Sequence, residues 1–153
     1  MTTSNIELRP ISTNDLEQLV DLDQKTTGES RRGFFQKRFN AQETTPEAFI
    51  SLAAIADGRL AGFVFARVLD GEFGYEKPVA VLDAIGVNPD IQGHGVGSQL
   101  MGELDRIMEK RGVDELHTQA DWNNPRMVDF FSAMDFKSAP RLVLERTAEC
   151  VDF

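Results

Sequence analysis

Between residues 79 and 111 the chain runs through an apolar stretch (V-A-V-L-D-A-I-G-V), a polar glycine-rich stretch (N-P-D-I-Q-G-H-G-V-G) and a helix-patterned segment (S-Q-L-M-G-E-L-D-R-I-M-E-K-R). No other segment constrains the fold as much. An apolar run of this length reads as a buried strand, the glycines as a tight turn, and the stripe of Leu100, Leu104, Ile107 and Met108 as one face of an amphipathic helix closed by Gly112. A strand that passes through a glycine turn into a helix makes an anion site. The first N–H groups of the helix have no acceptor within it and point outward, and the macrodipole favours negative charge there. No lysine follows the glycines as a nucleotide-hydrolysing P-loop requires. A dinucleotide-binding fingerprint fails too: Ser98 stands where a third glycine belongs, and the acidic pair Asp114-Glu115 begins the next strand instead of ending it.

The rest of the chain arranges itself around that unit. Ile6–Ile11 alternates as a short first strand ending near Pro10. Ser12 caps a helix carrying Leu16, Leu19, Val20 and Leu22, which stops at Thr26-Thr27-Gly28. Ser30–Phe39 reads as a second short helix, basic on one side and aromatic on the other. Ala48–Ala56 and Leu60–Leu69 are apolar runs about an Asp57-Gly58 hairpin turn, and residues 71–78 form a loop. After the central unit come a strand at Val113–Asp121 and a helix capped by Asn124 with Pro125 in its first turn, with Met127, Phe130, Phe131 and Met134 inward. One or two final strands are expected in Phe136–Arg146. The order β-α-α-β-β-β-α-β-α-β implies an α+β (α/β layered) fold: a mixed sheet with helices on both faces, in a single domain over residues 1–153.

Composition narrows the function. Hydrophobic residues make up 41% of the 153 residues and charged residues 27%, as in a globular protein. No apolar run reaches the length of a membrane span, and the N-terminus lacks a secretory pattern. The single cysteine, Cys150, excludes an internal disulfide and fits a reducing cytoplasm. Twenty-five acidic against sixteen basic residues give a net charge of −9, which argues against nucleic acid. It serves solubility, and would also steer a cationic substrate. Nothing suggests a metal site.

Gln92-Gly93-His94-Gly95-Val96-Gly97 resembles the Q/R-x-x-G-x-G/A signature of the GNAT superfamily of N-acetyltransferases, and Val87-Asn88-Pro89 is similar to the V-x-P that precedes it there. Downstream, Asn124, Met127, Phe131, Asp135 and Phe136 keep the offsets of a second family motif, with Met for Ala, Phe131 for a frequent Tyr and Asp135 for Gly. The resemblance implies a mostly antiparallel sheet with a central, splayed parallel strand pair, here Val79–Val87 and Val113–Asp121. It also implies acetyl-CoA as co-substrate, transferring acetyl to a primary amine of a small molecule or protein by direct attack. The pyrophosphate would sit on the backbone of Gln92, Gly93, His94, Gly95, Val96 and Gly97, with Ser98 as a hydroxyl donor. The pantetheine would pair with the edge of Ile85 and Val87, and Asn124 and Phe131 would lie on the cofactor side. Asn124 also serves simply as a helix cap. His94 reads as solvent-facing or as a phosphate contact, and His117 as a partly buried strand residue.

Amine acetylation needs a proton removed from the nucleophile, a polarised thioester carbonyl and a leaving thiolate. A backbone N–H near Val87 is the candidate carbonyl donor. Asp83, placed by strand alternation beside Val81, Ile85 and Val87, is the candidate base, with Asp121 as its rival. Each also reads as a structural carboxylate. Phe131 lacks the phenol often proposed to protonate the thiolate, leaving water or Tyr75. Arg31, Phe34, Phe35 and Tyr75 are expected to contact the acceptor, within a basic-aromatic patch that includes Arg32, Lys37, Arg38 and Phe39. An amphipathic helix with Phe inward and Arg outward explains the same pattern. The other functional reading is an inactive acyl-CoA-binding or regulatory module of the same fold. Exposed strand edges would allow a homodimer.

Overall fold

The computed structural model describes residues 5–91 and 95–148, and the chain divides into two compact units, Met1–Gln119 and Ala120–Phe153. The first unit holds a five-stranded sheet in the order β1-β2-β3-β4-β5. Its strands are β1 (Ile6–Pro10), β2 (Phe49–Ala56), β3 (Arg59–Asp70), β4 (Pro78–Val87) and β5 (Leu116–His117). Neighbours are antiparallel except β4 and β5, which run parallel. The mixed, mostly antiparallel sheet expected from the sequence is therefore present.

Local chemistry explains most boundaries. Asp15 accepts from the Ser12 N–H at 2.8 Å, closing a capping box ahead of α1 (Leu16–Thr27), and Gly28 ends α1 at φ 80°. Arg9 clamps the same carboxylate through two 2.8 Å hydrogen bonds and so ties β1 to the helix start. The second helix, α2 (Arg32–Thr44), starts later and runs further than its aromatic stripe suggests. Asp57 and Gly58 turn the β2–β3 hairpin with φ of 52° and 76°, both in the left-handed region a tight primed turn demands.

α1 and α2 cover one face of the sheet. Leu19, Val20, Leu22, Phe35 and Phe39 pack there with Phe63, Phe65 and Ala84, and Phe35 meets the Phe63 ring edge-on at 5.6 Å. The other face is covered by α3 (Val96–Lys110), which buries Val96, Leu100, Leu104 and Met108. Two glycines permit this close approach on either side. A Cβ on Gly62 would lie 2.8 Å from Val96 Cγ1, and one on Gly86 would lie 2.6 Å from Phe63 Cε1.

The second unit contains α4 (Pro125–Ala133), capped as expected by Asn124, whose Oδ1 accepts from the Met127 N–H at 3.3 Å. Phe131 is buried and packs edge-on against Phe130 and Phe136 at 5.5 and 5.1 Å. Two expectations are corrected. The strand foreseen at Val113–Asp121 is two residues long, and no strand is found among the described residues after α4, where Leu142 and Leu144 are 85% and 86% exposed. Alternation supplies a strand's pattern but not the neighbouring strand that must satisfy its backbone.

Candidate active site

β4 is where the candidate chemistry gathers. Its parallel pairing with β5 spans only Ala80 opposite Leu116 and Val81 opposite His117, with the Ala80 N–H donating to the Glu115 carbonyl at 3.0 Å. One step further the Thr118 hydroxyl donates to the Leu82 carbonyl at 2.9 Å, standing in for a ladder N–H. Beyond Leu82 the strands part, and no described strand pairs with the rest of that edge of β4. On the opposite edge β3 continues to pair, and the Asn88 N–H donates to the Ala61 carbonyl at 2.8 Å. Backbone groups alternate between edges along a strand, so Ile85 and Val87 direct theirs to the side β5 has left. Two sequence-derived candidates, the Ile85–Val87 edge and the Val87 N–H, thus fall together on one unpaired edge.

β4 leads into a short 3-10 turn, Pro89–Ile91, shaped by the Asn88 side chain accepting from the Asp90 N–H at 3.0 Å. Gln92, Gly93 and His94 lie outside the described residues. Gly95 then caps α3 at φ 76°, with nothing within 4 Å of where a Cβ would project. The first helical bond runs from Gln99 N–H to Gly95 carbonyl at 3.0 Å, so the N–H groups of Val96, Gly97 and Ser98 have no acceptor within the helix. Among the described residues no side chain caps this end. A helix start left without a side-chain cap or a close neighbour at its positive-φ residue by the described residues suits an approaching phosphate. Val96 and Gly97 are buried and present backbone only, whereas Ser98 is exposed.

Asp83 stands in surroundings different from those expected. The β3–β4 ladder carries a bulge between Phe65 and Ala66, where Phe65 pairs with Ala84 but Ala66 with Leu82, leaving Asp83 as the extra residue. Val87 lies opposite Gly62, on the face covered by α3. Asp83 instead turns to the α2 face. Its Oδ2 accepts from Arg38 Nε at 3.0 Å, and both its oxygens accept from Arg67 Nε at 3.0 Å. The alternation that put Asp83 beside Ile85 and Val87 fails at the bulge, and its neighbours are two guanidiniums, not apolar side chains. Two N–H donors, one of them shared between both oxygens, compete for the lone pairs a general base would use.

The other candidates separate. Asp121, just beyond β5, has an exposed side chain, while its carbonyl accepts from the Asn124 N–H at 2.9 Å. Tyr75 is 61% exposed in the loop of residues 71–77. His117 lies 3.8 Å from Glu115. The substrate assignment at Phe35 is corrected. Phe35 is completely buried and cannot touch an acceptor. Arg31 is locked onto the fully buried Asp23, with Nε to Oδ2 at 2.9 Å, and this hydrogen bonding raises its pKa further above the ordinary arginine value. It also lies 5.6 Å over the Phe35 ring. Within the basic-aromatic patch Phe34 and Arg38 are both partly exposed, with Arg38 stacked 4.8 Å over the Phe34 ring. Sequence reasoning missed Arg67 and Thr118. A lone cation within the apolar run L-A-G-F-V-F-A-R-V-L was the available signal for Arg67, since a charge in such a strand requires a partner.

The chain has relatives of known family and fold. The sequence model of the Acetyltransferase (GNAT) family matches residues 16–136, and the chain belongs to that family. Similar proteins include mycothiol acetyltransferase of Clavibacter michiganensis subsp. michiganensis, 30% identical over 112 residues, covering 73% of this chain and 34% of that protein. The [ribosomal protein bS18]-alanine N-acetyltransferase of Salmonella typhimurium is 30% identical over 93 residues, covering 61% of this chain and 58% of the relative. The chain thus spans between a third and three fifths of the length of these relatives. The solved structure of AAC(6′)-Iy with a CoA bisubstrate analogue superposes with a TM-score of 0.78 at 21% identity, covering 95% of this chain and 99% of that one, and shares the fold. Among the described residues no helix is long and apolar enough to cross a membrane, and no group of three His, Cys, Asp or Glu side chains could hold a metal.

Proposed function

We propose that this protein, as one GNAT-like domain, is an N-acetyltransferase that moves acetyl from acetyl-CoA to a primary amine. The observation that carries the reading is the end of the β4–β5 pairing after Leu82, beyond which no described strand pairs with the Ile85 and Val87 edge, just before the positive-φ start of α3. Bound acetyl-CoA would supply an activated thioester. The chain's part is to hold and polarise it. The edge of Ile85 and Val87 would pair with amides of the pantetheine. The N–H groups of Val96, Gly97 and Ser98, with the turn of Gln92, Gly93, His94 and Gly95, would take the pyrophosphate. A backbone N–H near Val87 would donate to the carbonyl oxygen as charge develops on it. With Asp83 committed to two arginines, Asp121 or solvent is left to remove the amine proton, and water or Tyr75 to protonate the thiolate. The relatives' names give both small-molecule and protein amines as acceptors, and either class fits the reading. The single cysteine is consistent with a cytoplasmic setting.

The test is thiol release from acetyl-CoA with a broad panel of amines. Turnover with at least one amine supports the reading. Acetyl-CoA binding without thiol release from any amine would favour a second reading, an acyl-CoA-binding module. Phe131, which lacks a hydroxyl, and the ion-paired Asp83 are the features that favour it. Recovery of turnover in Phe131→Tyr would make that case directly.

A further inference from the structure

Among the described residues the ion pairs match one cation to one carboxylate, with a single exception. Arg9 has Asp15, Arg31 has Asp23, Arg32 has Glu17 and Arg106 has Glu103. Asp83 alone is shared, by Arg38 from α2 and Arg67 from β3. Two positive charges against one negative leave a net +1 at this spot, in a chain whose net charge is −9.

The geometry leaves that charge usable. Both arginines contact Asp83 through Nε, and among the described residues no hydrogen bond engages the Nη groups of either guanidinium. The Arg38 and Arg67 side chains are 25% and 35% exposed, whereas Asp83 is 11% exposed. The carboxylate is therefore the more buried partner, and both arginine side chains keep part of their surface accessible. Arg38 is further fixed by stacking over Phe34 and Arg67 by its place in the sheet. Two guanidiniums fixed through Nε, with their Nη donors not used by Asp83, suit a planar oxyanion, which guanidiniums bind in bidentate fashion. The cluster lies on the same strand as the proposed carbonyl donor, with Asp83 two residues from Ile85, about 7 Å along β4, but it opens on the α2 face, opposite to the side chain of Ile85.

We infer that Arg38 and Arg67, held in place by Asp83, form a subsite for a carboxylate on the acceptor, so that the preferred substrate is an amine that also carries a carboxylate. The inference rests on the N-acetyltransferase reading for the role of the bound molecule, but the subsite can be tested without turnover. Asp83 is then a positioning residue for the two arginines.

The test uses the full-length chain and the N-acetylated products of ω-amino carboxylates with two to six carbons, each beside its carboxamide. Binding is measured by calorimetry in the presence of CoA. At least one carboxylate should bind wild type about ten-fold or more tighter than its amide, as the loss of a charge-assisted pairing implies. Arg67→Gln should remove that preference. Arg38 still pairs Asp83 in this variant, which protects the fold. Arg67→Lys retains the charge and should restore part of the preference without the fork. Equal binding of carboxylate and amide to wild type, or a preference that survives Arg67→Gln, overturns the subsite. Thiol release with the parent amines is scored separately. Its absence would count against transfer, while the binding preference would still decide the subsite.

Discussion

Gly62 couples the sheet to the start of α3, and replacing it tests whether the candidate phosphate cradle depends on that contact. An alanine Cβ there would lie 2.8 Å from Val96 Cγ1, 3.0 Å from the Gly86 carbonyl oxygen and 3.1 Å from Leu100 Cδ1. Ordinary contacts between carbons are about 3.5–4.0 Å, so each neighbour must give by several tenths of an ångström. The Gly86 carbonyl belongs to β4 and cannot swing aside as a side-chain end can. Relief must therefore come from α3, whose first residue is Val96. Overpacking of this kind costs about 1–3 kcal/mol, which for a chain of this size lowers Tm by roughly 2–12 °C. Lifting Val96 also misaligns the N–H groups proposed to meet the pyrophosphate. Losing one charge-assisted hydrogen bond should weaken CoA binding by about ten-fold or more. Gly102, also in α3, is the control: nothing lies within 4 Å of its would-be Cβ, and Gly102→Ala should stabilise by about 1 kcal/mol through helix propensity alone. Thermal denaturation and calorimetric titration with CoA give both readouts. Wild-type stability and CoA affinity in Gly62→Ala would refute the argument, as would weakened CoA binding in Gly102→Ala.

Gly95→Asp adds a Cβ at φ 76° and a negative charge at the helix start; it should abolish CoA binding by calorimetry while circular dichroism still reports a folded chain. Asp83→Asn should lower kcat by a factor that stays constant as pH rises above neutral, because it removes the anchor of Arg38 and Arg67 and not a proton acceptor; a loss that fades at high pH would return Asp83 to the role of general base. Arg9 and the Ser12 N–H hold the Asp15 carboxyl below its usual range. That contribution is complete above the unfolded carboxylate pKa of about 4 and is lost as pH falls through the lower folded value. Asp15→Asn should therefore destabilise by about 1–2 kcal/mol at pH 7, with Arg9 partly exposed to solvent, and urea midpoints of variant and wild type should converge in acid.

Whatever depends on a few neighbouring residues was legible in the sequence. Asp57-Gly58 specified its hairpin turn, Gly28 and Asn124 their helix ends, and Gly95 the positive φ that opens α3, because these are local backbone preferences. The apolar run of β4 and the stripe of α3 were legible for the same reason. Only the tertiary structure decided where side chains point once strands pair. The bulge between β3 and β4 puts Asp83 and Ile85 on opposite faces, and nothing within β4 itself encodes that slip, since a register belongs to two strands at once. It took the fold to bring Arg38 and Arg67, which lie 45 and 16 residues from Asp83 in sequence, onto one carboxylate. The same cause explains the strands that failed. Leu142 and Leu144 alternate as a strand would but pair with no described neighbour, while β5 ends where Thr118 turns its hydroxyl to Leu82. A strand is completed by its partner, and a partner distant in sequence leaves no mark on the segment it pairs with.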